Sequence, residues 1–410
     1  MNVEKFYGQL LGLKDGWAVE SVEQNNSSET VTVKVGYRIE GSYKCPDCSK
    51  GAVYHDSREK TIRHSDTCEY KTYLIVKYPR VKCPLCGTVA IAPPFVAEDS
   101  RFTKAFERRI IQLCHSSSTQ KAAKDLGLEW HVVERIKKRA LKRGMARQRQ
   151  RPGRTVKNIT IDETSFQKYH NYSTIITDVD RGTVLAVLPE RDSETLLQWF
   201  KTQHVADFSR LKSISLDMAP PYIKAVKDYF QNADKLICYD RFHVAQLFNR
   251  AVDTVRRRES ADYKRGENPL AGTRFDWLRN SGKLDNRTAR RKKFIELTKQ
   301  PFKTAEAWRH KERASTLWDY RKGGVAKKAW RELLKGLSRS QLPELKKLRK
   351  TIGNHLAGIL NAIKMRASNG IAEARNSCIQ RIKRMACGFR DKARFGLEII
   401  FQFGGLNMAF

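Results

Sequence analysis

The chain has 410 residues and carries 79 Lys+Arg against 44 Asp+Glu, a formal net charge of +35 at pH 7. A content of 40% hydrophobic and 10% aromatic residues excludes wholesale disorder, and no apolar run approaches the roughly 18 residues of a membrane-spanning helix. Because such a charge strains a compact chain, we expect a polyanionic partner, nucleic acid before an anionic membrane surface. The nine cysteines, with two C-x-x-C pairs, are typical of metal binding in a reducing cytosol, and the N-terminus has no signal-peptide pattern.

Residues 1–98 are predicted to form a β-rich zinc-binding domain. The segments ETVTVKVGYRI and EYKTYLIVKYPRV alternate apolar and polar residues, as half-buried strands do. Four thiolates in two tight turns can surround one Zn²⁺ tetrahedrally, and the candidate ligands are Cys45, Cys48, Cys83 and Cys86. A whole hairpin must lie between the two pairs, where Cys68, His55 or His64 could replace a ligand. The alternative is four buried cysteines without a metal.

Residues 99–150 are predicted to form a helix-turn-helix DNA-binding domain. Ser118 and Thr119 give a helix start signal, Gly127 supplies a turn, and a second helix runs from Glu129. This layout offers the second helix to the major groove of double-stranded DNA. The candidate DNA contacts are Gln120, Lys121, Lys124, Trp130, His131, Arg135, Lys138 and Arg139. The alternative is a helical hairpin with a solvated basic face.

The basic stretch RQRQRPGRTVK, with its proline and glycine, marks a domain boundary. Three strand-like segments follow and predict an antiparallel meander, and strands then alternate with helices, one of them capped by Ser193. Three strands followed by strand–helix repeats is the order of an RNase H-like α/β domain. We assign residues 151–255 to the first part of this core and 351–410 to its second part.

Residues 256–350 interrupt that order with a basic helical segment. The segment carries four tryptophans, Trp277, Trp308, Trp318 and Trp330. Aromatic residues at such spacing more often build a helical core than stack on bases. We therefore predict a helical insertion domain with a basic exterior.

Two strands of the predicted core end on an aspartate. In NITID, Ile159 and Ile161 share one face while Asp162 lies on the other, and the same alternation in SISLD places Asp217 opposite the apolar face. If these strands are neighbours, the carboxylates converge at one rim and raise one another's pKa. A divalent cation keeps both ionised, so the pattern predicts Mg²⁺ with retained waters. Each aspartate taken alone could instead cap the turn that follows it.

Other polar residues could complete or support this site. Glu373 is the candidate third carboxylate of a two-metal site, although periodicity alone favours a solvated surface position in line with Asn376. Asp240 ends an apolar strand and His243 follows it; a supporting role near the site competes with a helix N-cap and a core-facing histidine. Asp240, His243 and Asn376 are the candidate supporting residues. Glu163 projects to the other face of its strand and is left out of this set.

The ordered segments IDETSFQKYHNYSTIITDVD, SLDMAPPY, YDRFHV and NGIAEARNSCIQRIKRMACGFRD resemble the DDE transposases of bacterial insertion sequences. The cysteine knuckles and the helix-turn-helix narrow this resemblance to the ISL-three branch, from the knuckles to about Phe395. It implies an RNase H-like, retroviral-integrase-like catalytic core with a helical insertion. In that core Asp162, Asp217 and Glu373 would form the catalytic triad. Ala374 stands where the family has glycine, which leaves the neighbouring carboxylate in place.

The resemblance also implies cofactors, partners and an activity. The three carboxylates would hold two catalytic Mg²⁺, and the knuckles one structural Zn²⁺. The chain would bind the terminal inverted repeats of its insertion sequence and catalyse strand cleavage and strand transfer by in-line attack of water and then of a DNA 3′-hydroxyl. A homodimer is expected because two DNA ends must be brought together, and the location is expected to be the bacterial cytoplasm, associated with the nucleoid.

Two other classes of protein explain part of the pattern. A zinc-containing helix-turn-helix transcription regulator explains the knuckles, the helical segment and the charge, but not carboxylates at strand ends. Another RNase H-like nuclease, such as a junction resolvase, explains the carboxylates but not two separate DNA-binding modules. A transposase accounts for all of these features.

Overall fold

The computed structural model describes residues 2–14, 16–38, 41–150, 155–167, 171–264, 266–280, 289–367 and 370–410. The chain divides into two units: Met1–Gln150 with Leu406–Phe410, and Arg151–Gly405. The sequence pattern groups the last five residues with 351–405, whereas the structure packs them in the first unit. There Arg147 Nη1 donates to the carbonyl of Asn407 at 3.4 Å.

In the described parts of the chain, every helix is too short or too polar to span a lipid bilayer.

The first unit opens with a short helix and a six-stranded sheet. Its elements are α1 (Val3–Leu10), β1 (Trp17–Asn25), β2 (Thr30–Tyr37), β3 (Tyr43–Lys44), β4 (Gly51–Arg63), β5 (Lys71–Cys83) and β6 (Gly87–Ala90). The strand order is β1-β2-β5-β4-β3, and β6 pairs with β5. Alternate residues of β2, among them Val31, Val33 and Val35, are buried in the core. The alternation read from the sequence therefore predicts this face correctly.

Three helices follow the sheet in the same unit: α2 (Lys104–Ser116), α3 (Thr119–Asp125) and α4 (Trp130–Arg149). The Ser118 side chain caps α3 by accepting from Lys121 N at 3.2 Å, as its sequence position predicts. Gly127 adopts a φ of +62° in the turn before α4, a conformation that glycine tolerates without strain. Buried Ala122, Ala123 and Val133 fix α3 against α4.

The second unit is built on a five-stranded mixed sheet. Its strands are β7 (Asn158–Gln167), β8 (Asn171–Asp178), β9 (Thr183–Leu188), β10 (Ser213–Leu216) and β11 (Ile237–Tyr239). Their order is β11-β10-β7-β8-β9. Strands β7, β8 and β9 form the predicted antiparallel meander, while β10 runs parallel to both β7 and β11.

Helices surround this sheet and fill the rest of the unit. They are α5 (Ser193–Thr202), α6 (Pro220–Tyr229), α7 (Ala233–Leu236), α8 (Arg241–Ala261), α9 (Arg274–Leu278), α10 (Ala289–Lys299), α11 (Lys303–Thr316), α12 (Gly323–Arg339), α13 (Pro343–Asn354), α14 (Leu356–Met365), α15 (Gly370–Met385) and α16 (Lys392–Phe403). The cap of α5 is Asp192, whose side chain accepts from Thr195 N at 2.7 Å, and not Ser193 as the sequence suggests. The carboxylate one residue earlier takes the capping role, so Ser193 begins the helix.

The tryptophans of the helical segment lie in a hydrophobic core. Trp277 and Trp330 are fully buried, and they meet Trp308 and Trp318 edge to face at 6.2 and 5.9 Å. Their role in a core, rather than in base stacking, is the one that the sequence predicts. The same cluster of buried side chains continues into the strands of the sheet.

Candidate functional site

Asp162 and Asp217 lie at the edge of the five-stranded sheet where β10 ends. Asp217 directly follows β10, as the sequence predicts, but β7 continues to Gln167, so the prediction that this strand ends on Asp162 is wrong. Parallel pairing of β10 with β7 places Leu216 opposite Ile161, so an aspartate follows at the next position of each strand. Burial raises the pKa of Asp162, and the negative charges of Asp217 and Asp240 raise it further, while His243 opposes them. Carboxylates from separate strands thus act on one another electrostatically at this edge.

The Asp162 carboxylate is oriented by two hydrogen bonds. Its Oδ1 accepts from Glu163 N at 2.8 Å, and its Oδ2 accepts from the side-chain amide of Asn376 at 2.7 Å. The same amide donates to the Glu163 carbonyl at 3.2 Å. Farther along α15, Gln380 donates to Thr164 Oγ1 at 3.1 Å. One face of α15 therefore follows strand β7 and fixes the carboxylate of Asp162.

Glu373 lies on the same helix, one turn before Asn376, with an exposed side chain. Its carboxylate is not gathered with those of the two aspartates. Among the described residues, the four cysteines are the single group of three or more Asp, Glu, His or Cys side chains whose ligand atoms all lie within 4.8 Å of one another. The structure thus brings Asp162 and Asp217 to one edge and places Glu373 on the helix attached to it.

Asp240 and His243 lie at the beginning of α8. The Asp240 side chain accepts from Phe242 N at 3.2 Å, so it caps this helix. Its buried charge also acts on Asp162, as does that of the half-buried His243. Asp240 is thus a helix cap whose charge also acts on Asp162, while its supporting role at a site stays a prediction.

Arg191, which sequence reasoning missed, contacts the carboxylates at this edge. Arg191 forms an ion pair with the carboxylate of Glu163, and its Nη2 lies 3.8 Å from Asp217 Oδ2. Burial raises the pKa of Glu163, and Arg191 opposes that shift. Arg191 precedes α5 in a loop, where no periodic pattern marks it in the sequence.

The four predicted zinc ligands are gathered at one end of the first sheet. The Sγ atoms of Cys45, Cys48, Cys83 and Cys86 lie within 4.8 Å of one another. Backbone N–H groups of Cys86 and Leu85 lower the pKa of Cys83 to about 7, whereas hydrogen bonding to Cys48 and burial raise that of Cys86 to about 12. A set of four thiol ligands at this spacing suits Zn²⁺.

The alternative ligands between the two knuckles lie outside this group. His64 Nδ1 is 2.8 Å from Thr103 Oγ1, a contact that commits its ring elsewhere. Cys68 is exposed in the loop between β4 and β5, and neither it nor His55 belongs to the cluster.

Seven of the eight predicted DNA contacts are exposed on α3 and α4: Gln120, Lys121, Lys124, Trp130, His131, Arg135 and Lys138. Arg139 is the exception. Its half-buried guanidinium donates to the fully buried carboxylate of Glu107 and approaches Ser100 Oγ at 3.5 Å. Arg139 therefore supplies the counter-charge of the buried Glu107, a role that the sequence does not predict, and its contact with DNA stays a prediction.

Three family models match successive parts of the chain. The first, described as a zinc-finger of transposase IS204/IS1001/IS1096/IS1165, matches residues 42–86. The second is a helix-turn-helix domain of transposase family ISL3 and matches residues 91–141. The third, a transposase domain of the DDE type in the same family, matches residues 159–399. These spans contain the four cysteines, the exposed basic helices and the sheet edge.

Curated relatives match over nearly the full length of the chain. A transposase for insertion sequence element IS1001 from Bordetella parapertussis is 27% identical over 404 residues, which cover 97% of this chain and 98% of that protein. A transposase for insertion sequence element IS1557 from Mycobacterium tuberculosis is 24% identical over 420 residues, covering 94% of this chain and 92% of that protein. The order of the three modules is thus matched in proteins of one kind.

Proposed function

Because the chain belongs to the ISL3 family of transposases, we propose that it cuts and joins DNA strands at the sheet edge where Asp162 and Asp217 lie. It is a DDE transposase with a zinc-finger domain and a DNA-binding helix-turn-helix domain. The observation that carries the proposal is the parallel pairing of β10 with β7, which sets these two aspartates side by side within the matched transposase domain.

The catalytic core is proposed to be RNase H-like. Its sheet has an antiparallel meander of three strands, followed by two strands that run parallel to the first. Residues 256–350 would be the helical insertion that separates the second aspartate from the third carboxylate. The strand order supports this assignment.

The donor set fits hard divalent cations. Asp162 and Asp217 offer carboxylate oxygens at one edge, and the crowding of negative charge there, with Asp240 nearby, is relieved by a cation. Glu373 would supply the third carboxylate from α15. Two bound Mg²⁺ would supply activation of the attacking oxygen and neutralisation of the departing 3′-oxygen.

The chain's own residues bind and orient the groups at this edge. Asn376 and the backbone of Glu163 hold Asp162 in one orientation before DNA arrives, which lowers the cost of ordering the site. Attack by water forms a new P–O bond, breaks the bond to the 3′-oxygen and leaves a 3′-hydroxyl. That hydroxyl then attacks a phosphodiester of target DNA in the same in-line manner, which joins the two strands and breaks the bond to a 3′-oxygen of the target, left as a hydroxyl.

Recognition of the element's terminal inverted repeats is assigned to the first unit. The exposed side chains of α3 and α4 would enter the major groove or contact phosphates. We further propose a homodimer, because two DNA ends must be held together for strand transfer.

The catalytic assignment is tested with Asp162→Asn, Asp217→Asn and Glu373→Gln, each assayed for Mg²⁺-dependent cleavage of a duplex that carries the inverted repeat flanking its gene. Each variant is expected to bind the duplex as the unmodified chain does and to lose cleavage. Glu296→Gln, an exposed helical glutamate of the same unit, serves as the control and should cleave normally. A variant that cleaves at the normal rate removes its residue from the catalytic set.

A further inference from the structure

Arg191 occupies a place at the sheet edge that the two-metal scheme does not use. It lies in the loop between β9 and α5, and its side chain is 46% exposed. Its Nε is paired with Glu163, while its Nη2 approaches Asp217 only to 3.8 Å, beyond hydrogen-bonding range. The outer end of the guanidinium is thus presented beside a catalytic aspartate without being bonded to it.

Glu163 and its neighbours hold Arg191 from two sides. The buried Tyr222 hydroxyl lies near the carboxylate of Glu163 and lowers its pKa, and it donates to Thr174 Oγ1 at 2.8 Å. Thr174 Oγ1 in turn donates to the carbonyl of Glu190, the residue before Arg191, at 2.8 Å. Both the side chain and the backbone of Arg191 are therefore tied to the sheet.

Stability alone does not explain this arrangement. A partly exposed ion pair contributes about 0–1 kcal/mol, and Glu163 loses solvation by being half-buried next to Asp162. A cation beside Asp217 also competes with the divalent ions that the site is expected to bind. A phosphodiester would supply acceptors for the outer N–H groups of Arg191, because the planar guanidinium can donate to two phosphate oxygens at once.

We propose that Arg191 binds the non-bridging oxygens of the scissile phosphate, and that Glu163 is the positioning residue that aims it. The proposal rests on the proposed function, since it places the scissile phosphate at this edge. As the new P–O bond forms and the bond to the 3′-oxygen breaks, the non-bridging oxygens are stabilised by a fixed positive charge. Arg191 stays protonated throughout and transfers no proton.

The first test compares Arg191→Gln with a matched variant. Arg258 pairs with Glu344 at 2.9 Å, and their side chains are 44% and 15% exposed, against 46% and 17% for Arg191 and Glu163. In single-turnover cleavage of the inverted-repeat duplex, Arg191→Gln is expected to be roughly 100-fold slower, the loss typical for one transition-state donor. Arg258→Gln should cleave at the unmodified rate. Equal rates for the two variants would overturn the proposal.

Rescue separates contact with the phosphate from a structural role. Free guanidinium ion should restore part of the rate of Arg191→Ala, whereas potassium chloride at the same ionic strength should not. Arg191→Lys should recover only part of the rate because lysine lacks the planar fork. Failure of guanidinium to restore the rate in a variant with an unchanged melting temperature would contradict the proposed contact.

The role of Glu163 is tested by non-additivity. Glu163→Gln should slow cleavage, and the double variant with Arg191→Gln should be no slower than Arg191→Gln alone, because Glu163 acts through Arg191. If the rate losses of the two single variants add in the double variant, Glu163 does not act through Arg191. Asp217→Asn, assayed in parallel, distinguishes failure of the proposed function from failure of the Arg191 inference. If it still cleaves, the proposed function fails; if it is inactive while Arg191→Gln is normal, this inference fails alone.

Discussion

Asp162 is a buried carboxylate whose pKa is raised in the folded chain. It is desolvated and lies near two other acids, while Asn376 donates a hydrogen bond to it and the charge of His243 opposes the shift. A carboxylate that is costly to ionise in the folded chain becomes favourable once a divalent ion is bound. Residues kept in such positions often lower stability for the sake of function.

This raised pKa predicts that Asp162→Asn stabilises the chain when chelator removes divalent ions. Because burial raises the folded-state pKa of Asp162, ionisation costs stability at every pH above that pKa, and the cost vanishes as pH falls below the unfolded value of about 3.9. The variant should therefore be more stable at pH 8, and the gain should disappear near pH 3. Denaturant unfolding at the two pH values measures it.

Magnesium provides the control for this effect. An ion that binds only the folded state stabilises the unmodified chain, so adding Mg²⁺ at pH 8 should reduce or reverse the advantage of Asp162→Asn. If the variant is no more stable than the unmodified chain at pH 8 in chelator, ionisation of Asp162 does not destabilise the folded chain.

The residues of this edge differ in how far the sequence reveals them. Asp162 and Asp217 could be predicted to share a rim because alternation along a strand fixes the face of each residue. Arg191 could not, since its contact with Glu163 depends on how a loop is placed beside a strand. Sequence reasoning left Glu163 out because a neighbouring strand position is expected to point to the other face, yet Arg191 contacts both Glu163 and Asp217.

At the scale of elements, α15 shows how one helix face is chosen by the strand beside it. Asn376, Gln380 and Lys383 all donate hydrogen bonds to β7. The sequence pattern indicates a helix here from its apolar positions, but polar contacts to a particular strand leave no periodic signal. This is why helical periodicity could place Asn376 in line with Glu373 while its partner on β7 could not be named.

The two cysteine knuckles bring four thiols of unequal acidity together. Hydrogen bonds lower the pKa of Cys83 to about 7 and raise that of Cys86 to about 12. Zinc binds thiolates, so binding must release protons and must strengthen as pH rises. The spacing C-x-x-C predicts each pair of neighbouring thiols, because a tight turn fixes each pair locally, and the structure confirms that the two pairs meet.

Cys45→Ser is therefore expected to lose about one equivalent of zinc and to weaken binding to the inverted-repeat duplex, because a structural zinc site with three thiolates loses most of its affinity. Cys45 is buried within the cluster, whereas Cys68 is exposed outside it, so Cys68→Ser is the matched control and should keep its zinc. Metal content by mass spectrometry, together with duplex affinity, measures both. Normal zinc content in Cys45→Ser would contradict the site.

At the scale of the whole molecule, charge was the most direct signal in the sequence, and its meaning did not depend on the fold. The net charge of +35 is spread over both units, and the first unit exposes basic residues on α3 and α4. The division of the chain into two units was harder to predict from the sequence. The last five residues belong to the first unit because they contact α4, as Arg147 does with Asn407. A contact between residues so far apart in the chain leaves no pattern in the local sequence.

This charge predicts that affinity for any DNA duplex falls steeply with salt. Each phosphate neutralised by a lysine or arginine releases a counterion and contributes about −0.9 to the slope of log K against log salt. Six to ten contacts would then weaken binding about 10³- to 10⁵-fold between 50 and 200 mM salt. Lys124→Gln, at an exposed position of α3, should reduce the slope by about 1. Because phosphate contacts do not read sequence, an inverted-repeat duplex and a scrambled duplex should give similar slopes, while a slope near zero would contradict the electrostatic origin of binding.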